Sequence, residues 1–284
     1  MSGVAPGPAQ APTPGPFVGL TLPSFVRDVG EVLEVVRAAQ DAGLDGVFGY
    51  DHLFRLAADG THRPALESTA LLGAVAAAST RIRIGILVTR ASLRPAALTS
   101  LTLATVSRIS GARLIGAIGA GDGESEDENE RFGIAFGGID DRLADLRATV
   151  RATRDHGFPV WVGGVHPGVR AVAAADADGW NRWGGPVDRF AVAAADVRAS
   201  AARSPFTCSW GGLVVIDDND GSAAAKADRV GARDGTIVGA PPAVADAFAR
   251  YVDAGAEWVI AGPVDSRDPT NAERLAEVKA RLVG

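Results

Sequence analysis

Eight short apolar runs, separated by amphipathic stretches long enough to cross over a sheet, constrain this chain more than any other feature. They are Phe17 to Leu22, Gly46 to Tyr50, Ile82 to Val88, Arg113 to Ile118, Pro159 to Gly163, Gly179 to Arg182, Thr207 to Ile216 and Glu257 to Ala261. Runs of this kind belong to strands covered on both faces, and parallel strands need crossovers between them. The gaps carry the helical period. Val29, Val32, Leu33 and Val36 follow Asp28 and Glu31, which have capping-box spacing, and Gly43 ends the run. Further helices are predicted from about Leu66 to Ala78 and from Pro95, the latter carrying Leu98, Leu101 and Val106. Others follow Asp140, with Leu143, Leu146 and Val150, and Pro241, with Val244, Phe248 and Val252. Thr270 is placed as the cap of a last helix with Leu275, Val278 and Leu282.

The expected architecture is α/β, a (βα)8 barrel over residues 17–284 as one domain. A repeated helix end, glycine and strand start, in Asp41 to Val47 and again in Asp253 to Val259, favours it. An open doubly wound sheet is the rival, because strand count alone does not decide closure. Residues 1–16 hold Pro6, Pro8, Pro12, Pro14 and Pro16 and read as a disordered or loosely packed arm.

Composition narrows the function. With 284 residues, 47% of them apolar, the chain suits a single barrel of about 250 residues. A net charge of -6 with no basic stripe argues against nucleic acid. No run of about 18 apolar residues argues for a membrane helix, and Cys208 stands alone, so no internal disulfide forms. The first residues carry neither a basic segment nor an apolar core of a secretory signal, so a cytoplasmic protein is expected.

In a barrel, chemistry is expected where strands end. Asp51 and His52 follow the second run, and a histidine there can move a proton near neutral pH. The plain alternative is a turn-capping Asp51 and a structural His52, since adjacent residues on a strand point apart. His62, His156 and His166 show no ligand spacing with His52, so no metal site is predicted. After the fourth run, Gly116 to Gly123 superficially suggests a dinucleotide loop. The acidic run Glu124 to Glu130 that follows would repel a pyrophosphate. These glycines are better suited to close approach of a flat ring with Asp122 at its edge, and the acidic run reads as a solvated loop. After the fifth run, Gly163, Gly164 and Val165 precede Pro167, and their backbone N–H groups can form an anion site. A tight turn that needs glycine for its dihedrals is the other reading.

Together these segments resemble the luciferase-like monooxygenase superfamily, and more closely its branch that uses the deazaflavin coenzyme F420. The resemblance is carried by Asp45 to Leu53, Arg81 to Gly85 with Val88-Thr89-Arg90, Arg108 to Leu114 with Gly119 to Asp122, Pro159 to Gly164, and Ala177 to Asn181, in order along the chain. It implies a bacterial-luciferase-like TIM barrel with His52 beside the reactive ring face, and a non-prolyl cis peptide near Leu87-Val88 that buttresses the ring. It places Asp51, Thr89, Ala120, Gly121 and Asn181 at the cofactor and Gly163, Gly164 and Val165 at its phosphate. Asp122 falls where several deazaflavin enzymes have glutamate, and is with His52 the candidate catalytic residue as well as a cofactor contact. The chain has almost nothing between Arg154 and Pro159, where many relatives carry an insertion, so a more open pocket is expected.

The implied activity is hydride transfer between F420 and a small organic substrate, preferably reduction of an activated C=C or C=N bond. A two-component monooxygenase using FMN is the runner-up, and a catalytically silent barrel that only stores or senses the cofactor is the third reading. The implied partners are a small-molecule substrate, a second copy in a homo-oligomer, dimer favoured, and a separate reductase regenerating the cofactor.

Overall fold

The computed structural model describes residues 15–56, 60–123 and 125–284. Residues 1–14 of the expected arm therefore lie outside the described residues. The barrel strands are β1 (Phe17–Thr21), β2 (Gly46–Gly49), β3 (Arg83–Arg90), β4 (Leu114–Gly119), β5 (Val160–Gly163), β6 (Gly179–Trp183), β7 (Thr207–Ile216) and β8 (Trp258–Pro263). Every neighbouring pair runs parallel. Pairing of β8 with both β1 and β7 closes the ring, and the open-sheet alternative is thereby excluded.

Ten described helices surround it: α1 (Val29–Asp41), α2 (Ser68–Ala78), α3 (Ala96–Ile109), α4 (Ser125–Arg131), α5 (Ile139–Thr153), α6 (Pro167–Asp176), α7 (Val187–Ala199), α8 (Asp220–Val230), α9 (Pro241–Asp253) and α10 (Thr270–Val283). Asp28 caps α1 by accepting from the Gly30 N–H at 2.7 Å. Thr270 opens α10, and Pro269 takes the cap position expected for it. Helices α7 and α8 were not anticipated. Both are rich in alanine, which has high helix propensity but gives little periodic contrast. On α3 the burial also differs from a simple leucine stripe: Leu103, Ala104 and Val106 face the core, while Leu98 and Leu101 are half or more exposed. A hairpin, Phe54–Leu56 against His62–Pro64, projects after β2. A short strand, Ile237–Gly239, extends the sheet beside β7.

Each strand alternates between two buried environments. Val47, Ile84, Leu114, Val160 and Val162 pack outward under the helices, whereas Phe48, Ile115, Trp161, Trp258 and Ile260 fill the barrel. The Phe48 ring stacks near Trp161 at 6.4 Å and meets Trp258 edge-on at 5.9 Å. Such large rings fit because the strands around them carry glycine. A Cβ at Gly19, Gly46 or Gly85 would come within 2.9, 3.0 and 3.1 Å of Phe48 atoms. Large side chains opposite small ones are how a narrow barrel fills its interior.

At Gly85 a Cβ would also stand 2.7 Å from the Ile115 carbonyl oxygen, which has no rotamer to yield. Gly85→Ala is therefore expected to destabilise the fold by about 1–3 kcal/mol, through overpacking. Urea unfolding of the variant checks this, and an unchanged midpoint would show that the barrel interior is not full there.

Candidate active site

Asp51 and His52 leave β2 at its carboxyl end and part at once. The Asp51 carboxylate turns into a buried cluster, accepting from Ser68 Oγ at 2.5 Å, the Arg90 N–H at 2.8 Å and Arg94 at 2.9 and 3.2 Å. Arg94 also pairs with Glu67. With its side chain only 1% exposed, Asp51 ties the ends of β2 and β3 to the start of α2 and has no open face toward a ligand. That role differs from the direct cofactor contact expected for it.

His52 goes the other way. Its Nδ1 lies 2.6 Å from Glu128 Oε1. Glu128 also accepts from the Leu53 N–H at 2.7 Å and from Arg90 Nη2 at 2.9 Å. Asn129, fully buried beside it, accepts from Arg90 Nη1 at 3.3 Å. This corrects the reading of Glu124 to Glu130 as a solvated acidic loop. The described part of that run is helix α4, and Glu128 is 5% exposed. Asp122 lies just ahead of the helix: its Oδ1 accepts from Ser125 Oγ at 3.1 Å, and Gly121 turns the chain with φ of +74°. The three-residue spacing of Asp122 and Ser125 is the signal that could have revealed α4. Nothing in the sequence indicates that Glu128 alone would be drawn inward.

Burial by itself would raise the Glu128 carboxyl. The hydrogen bonds from His52 and Leu53 and the charges of His52 and Arg90 outweigh that and hold it below its ordinary value. An ionised Glu128 can only accept, so Nδ1 of His52 must carry the proton between them. Nε2 is left to take or give a proton, on a side chain 35% exposed.

Tyr50 and Trp183, which the sequence reading did not single out, stand across the mouth with their rings edge to face at 5.8 Å. Tyr50 gives its hydroxyl proton to Thr21 Oγ1 at 3.0 Å. Burial, the leading cause, pushes its phenol up to about 12, so it stays neutral and serves as a wall. The peptide between Leu87 and Val88 is cis. Val88 lies against both Gly119 and Gly163, where an added Cβ would fall 2.3 and 2.4 Å from its methyls. Ala120 and Gly121 continue this small-residue floor. Thr89 Oγ1 is buried with no partner among the described residues.

The expected phosphate turn is altered in detail. The Gly164 N–H already donates to the Asn181 carbonyl at 3.1 Å, and the Gly164 carbonyl accepts from Trp180 Nε1 at 2.9 Å. Gly164, with φ of +141°, thus serves the turn and is not a free donor. His166 Nδ1 accepts from the Gly168 N–H at 3.1 Å and caps α6. The N–H groups of Val165 and His166 have no acceptor among the described residues. Asn181 is buried, donating to Ser209 Oγ at 2.9 Å. Among the described residues no group of three or more His, Cys, Asp or Glu could hold a metal ion.

The luciferase-like monooxygenase profile matches residues 8–156 and 147–235. The chain belongs to that family. Its members are oxidoreductases, and the fold agrees throughout. An F420-dependent secondary alcohol dehydrogenase, solved with an F420-acetone adduct, is similar at a TM-score of 0.80 and 15% identity, over 94% of this chain and 98% of that one. The coenzyme F420-dependent tetrahydromethanopterin reductase of Methanopyrus kandleri gives 0.69 and 17%, over 92% and 96%. The EDTA monooxygenase of Chelativorans sp. BNC1 gives 0.74 and 12%, over 93% of each chain. No curated protein sequence matches. No described helix of this luciferase-like barrel is long and apolar enough to cross a membrane.

The Glu128 assignment carries its own pH signature. A carboxyl held below its ordinary value of 4.5 stabilises the fold fully above that value, and the contribution is lost as pH falls through the lower folded value. The stability gap between the unaltered protein and Glu128→Gln should be present at about pH 5 and shrink as pH falls below the ordinary carboxyl value of 4.5. Denaturant unfolding at stepped pH measures it. A gap that is flat to the acid limit would remove the ionised pair.

Proposed function

We propose that this luciferase-like barrel is a deazaflavin-dependent oxidoreductase acting on a small organic substrate, and that His52 handles the proton of the reaction. The observation that carries the reading is the His52–Glu128–Arg90 constellation at the carboxyl end of the barrel, 2.6 and 2.9 Å along its two links. Two of the similar structures are named as F420-dependent enzymes, which supports the choice of cofactor.

The residues present fit such a group. Val88 on its floor of Gly119 and Gly163, with Ala120 and Gly121, would hold a flat ring, while Thr89, 1% exposed, has no open face toward it. The N–H groups of Val165 and His166 would meet its phosphate at the start of α6. When bound, F420 supplies or accepts a hydride. Reduction of an activated C=C or C=N bond adds two electrons to the substrate, and the charge that develops needs a proton. His52 Nε2 delivers it, while Glu128 keeps the Nδ1 proton fixed and Arg90 keeps Glu128 ionised. Tyr50 and Trp183 exclude water from one side. A separate reductase would regenerate the cofactor. The runner-up, an FMN-dependent monooxygenase, draws its support from relatives such as the EDTA monooxygenase.

Equilibrium titration with oxidised F420 and with FMN separates the two readings: tighter binding of F420 is expected, and binding of FMN alone would favour oxygen chemistry. In the loaded enzyme, His52→Ala should lower turnover by about 10²- to 10⁴-fold with the fold intact. Full activity at saturating cofactor and substrate would remove His52 from the proton path.

A further inference from the structure

The loops after β1 and β8 and the hairpin after β2 enclose an open cavity of about 1040 Å³ beside the barrel mouth. Its charges are unevenly matched. The acidic side chains in its wall are already paired: Glu31 with Arg267 at 3.6 Å, Asp265 with Lys226 at 2.5 Å, and Asp268 with Arg274 at 3.6 Å. Arg27, Arg55 and Arg63 also line it, and none of them has a carboxylate within ion-pair distance among the described residues. Three cations without a carboxylate partner among the described residues therefore line one concavity on a protein whose net charge is -6. All three are exposed, so solvent screens their repulsion, and together they offer an anion a concave, positively charged wall.

The cavity is joined to the catalytic histidine. The Arg55 guanidinium sits 5.8 Å from the centre of the Phe25 ring, and that ring is 6.0 Å from the ring of His52. One benzyl side chain thus lies near both a cation and the imidazole. Pro23, Val26 and Pro64 add apolar surface nearby.

We propose that this cavity receives an anionic group, a carboxylate or phosphate, borne by the substrate, whose apolar body lies on Phe25 and reaches toward His52. Arginine suits the task because its planar fork binds either anion through two hydrogen bonds. The proposal deepens the oxidoreductase reading and rests on it for the word substrate; the anion site itself does not depend on that reading. The same chemistry could be met by the acidic tail of F420, so the test must separate the two sources.

The anion site is read without turnover, by fluorescence titration with 8-anilinonaphthalene-1-sulfonate, an aromatic anion, and with its uncharged counterpart N-phenyl-1-naphthylamine. The double variant Arg55→Gln/Arg63→Gln should bind the anion at least about tenfold more weakly, the loss of two charged contacts, and the neutral probe within about twofold of the unaltered protein. Arg108→Gln, on the exposed face of α3, should change neither. Equal losses for both probes, or an unchanged affinity for the anion, would overturn the site. Titration of the same double variant with oxidised F420 separates the sources: unchanged affinity assigns the site to the substrate, and a matching loss would overturn that assignment in favour of the cofactor tail. If the unaltered protein binds neither F420 nor FMN, the oxidoreductase reading fails while the probe result still decides the anion site.

Discussion

The arrangement of the barrel mouth depends on one buried ion pair, Arg90 with Glu128, whose side chains are 4% and 6% exposed. Removing two charges from water costs several kcal/mol per ion, and such a pair persists only if its remaining hydrogen-bonding capacity is used. Here it largely is. Glu128 accepts from three donors, and Arg90 reaches Asn129 as well, while Arg90 Nε has no partner among the described residues. The pair joins the end of β3 to α4, and through the Leu53 N–H it also holds the chain entering the hairpin. His52 sits on this framework. Its ring is oriented by a carboxylate that is itself oriented by a cation, so the group proposed to handle the proton is placed by neighbours that need not touch a substrate.

Beneath the mouth, the barrel interior provides the rigid floor. Phe48, Trp161 and Trp258 occupy the volume left by glycines on the strands around them, and this packing leaves little room to collapse or shift. Val88 rests on Gly119 and Gly163 in the same manner one layer higher. Glycines that a sequence reader assigns to phosphate binding or ring approach are thus also required by packing. At Gly164 the backbone hydrogen bond to Asn181 shows the structural demand directly.

The sites around the mouth differ in electrostatic character. On the β3–β4 side Arg90, Arg94, Asp51 and Glu128 are paired and largely removed from water, while Asp122, Glu126 and Glu130 lie exposed. On the β1–β8 side Glu31, Asp265 and Asp268 are paired, three arginines have no carboxylate partner among the described residues, and the surface is open. A substrate reaching from one side to the other would pass over Phe25, with its polar end held at a distance from the reacting bond.

By itself the amino-acid sequence determined the number and order of the barrel strands, the positions of most helices and the place of His52 at a strand end. These follow from local rules: two-residue and 3.6-residue periodicity report which face of a segment is buried, and capping residues and glycines mark where it stops. The same rules failed where periodic contrast was weak, as in α7 and α8, and where charge density masked a helix, as in α4. Only the tertiary structure decided that the ring closes, that Asp51 belongs to a buried arginine cluster while its neighbour His52 faces the mouth, and that Glu128, 76 residues away in sequence, holds the imidazole. Periodicity states that a residue is buried and not which partner it is buried against. That choice is made when the strands close into a barrel and bring the ends of β2, β3 and β4 together.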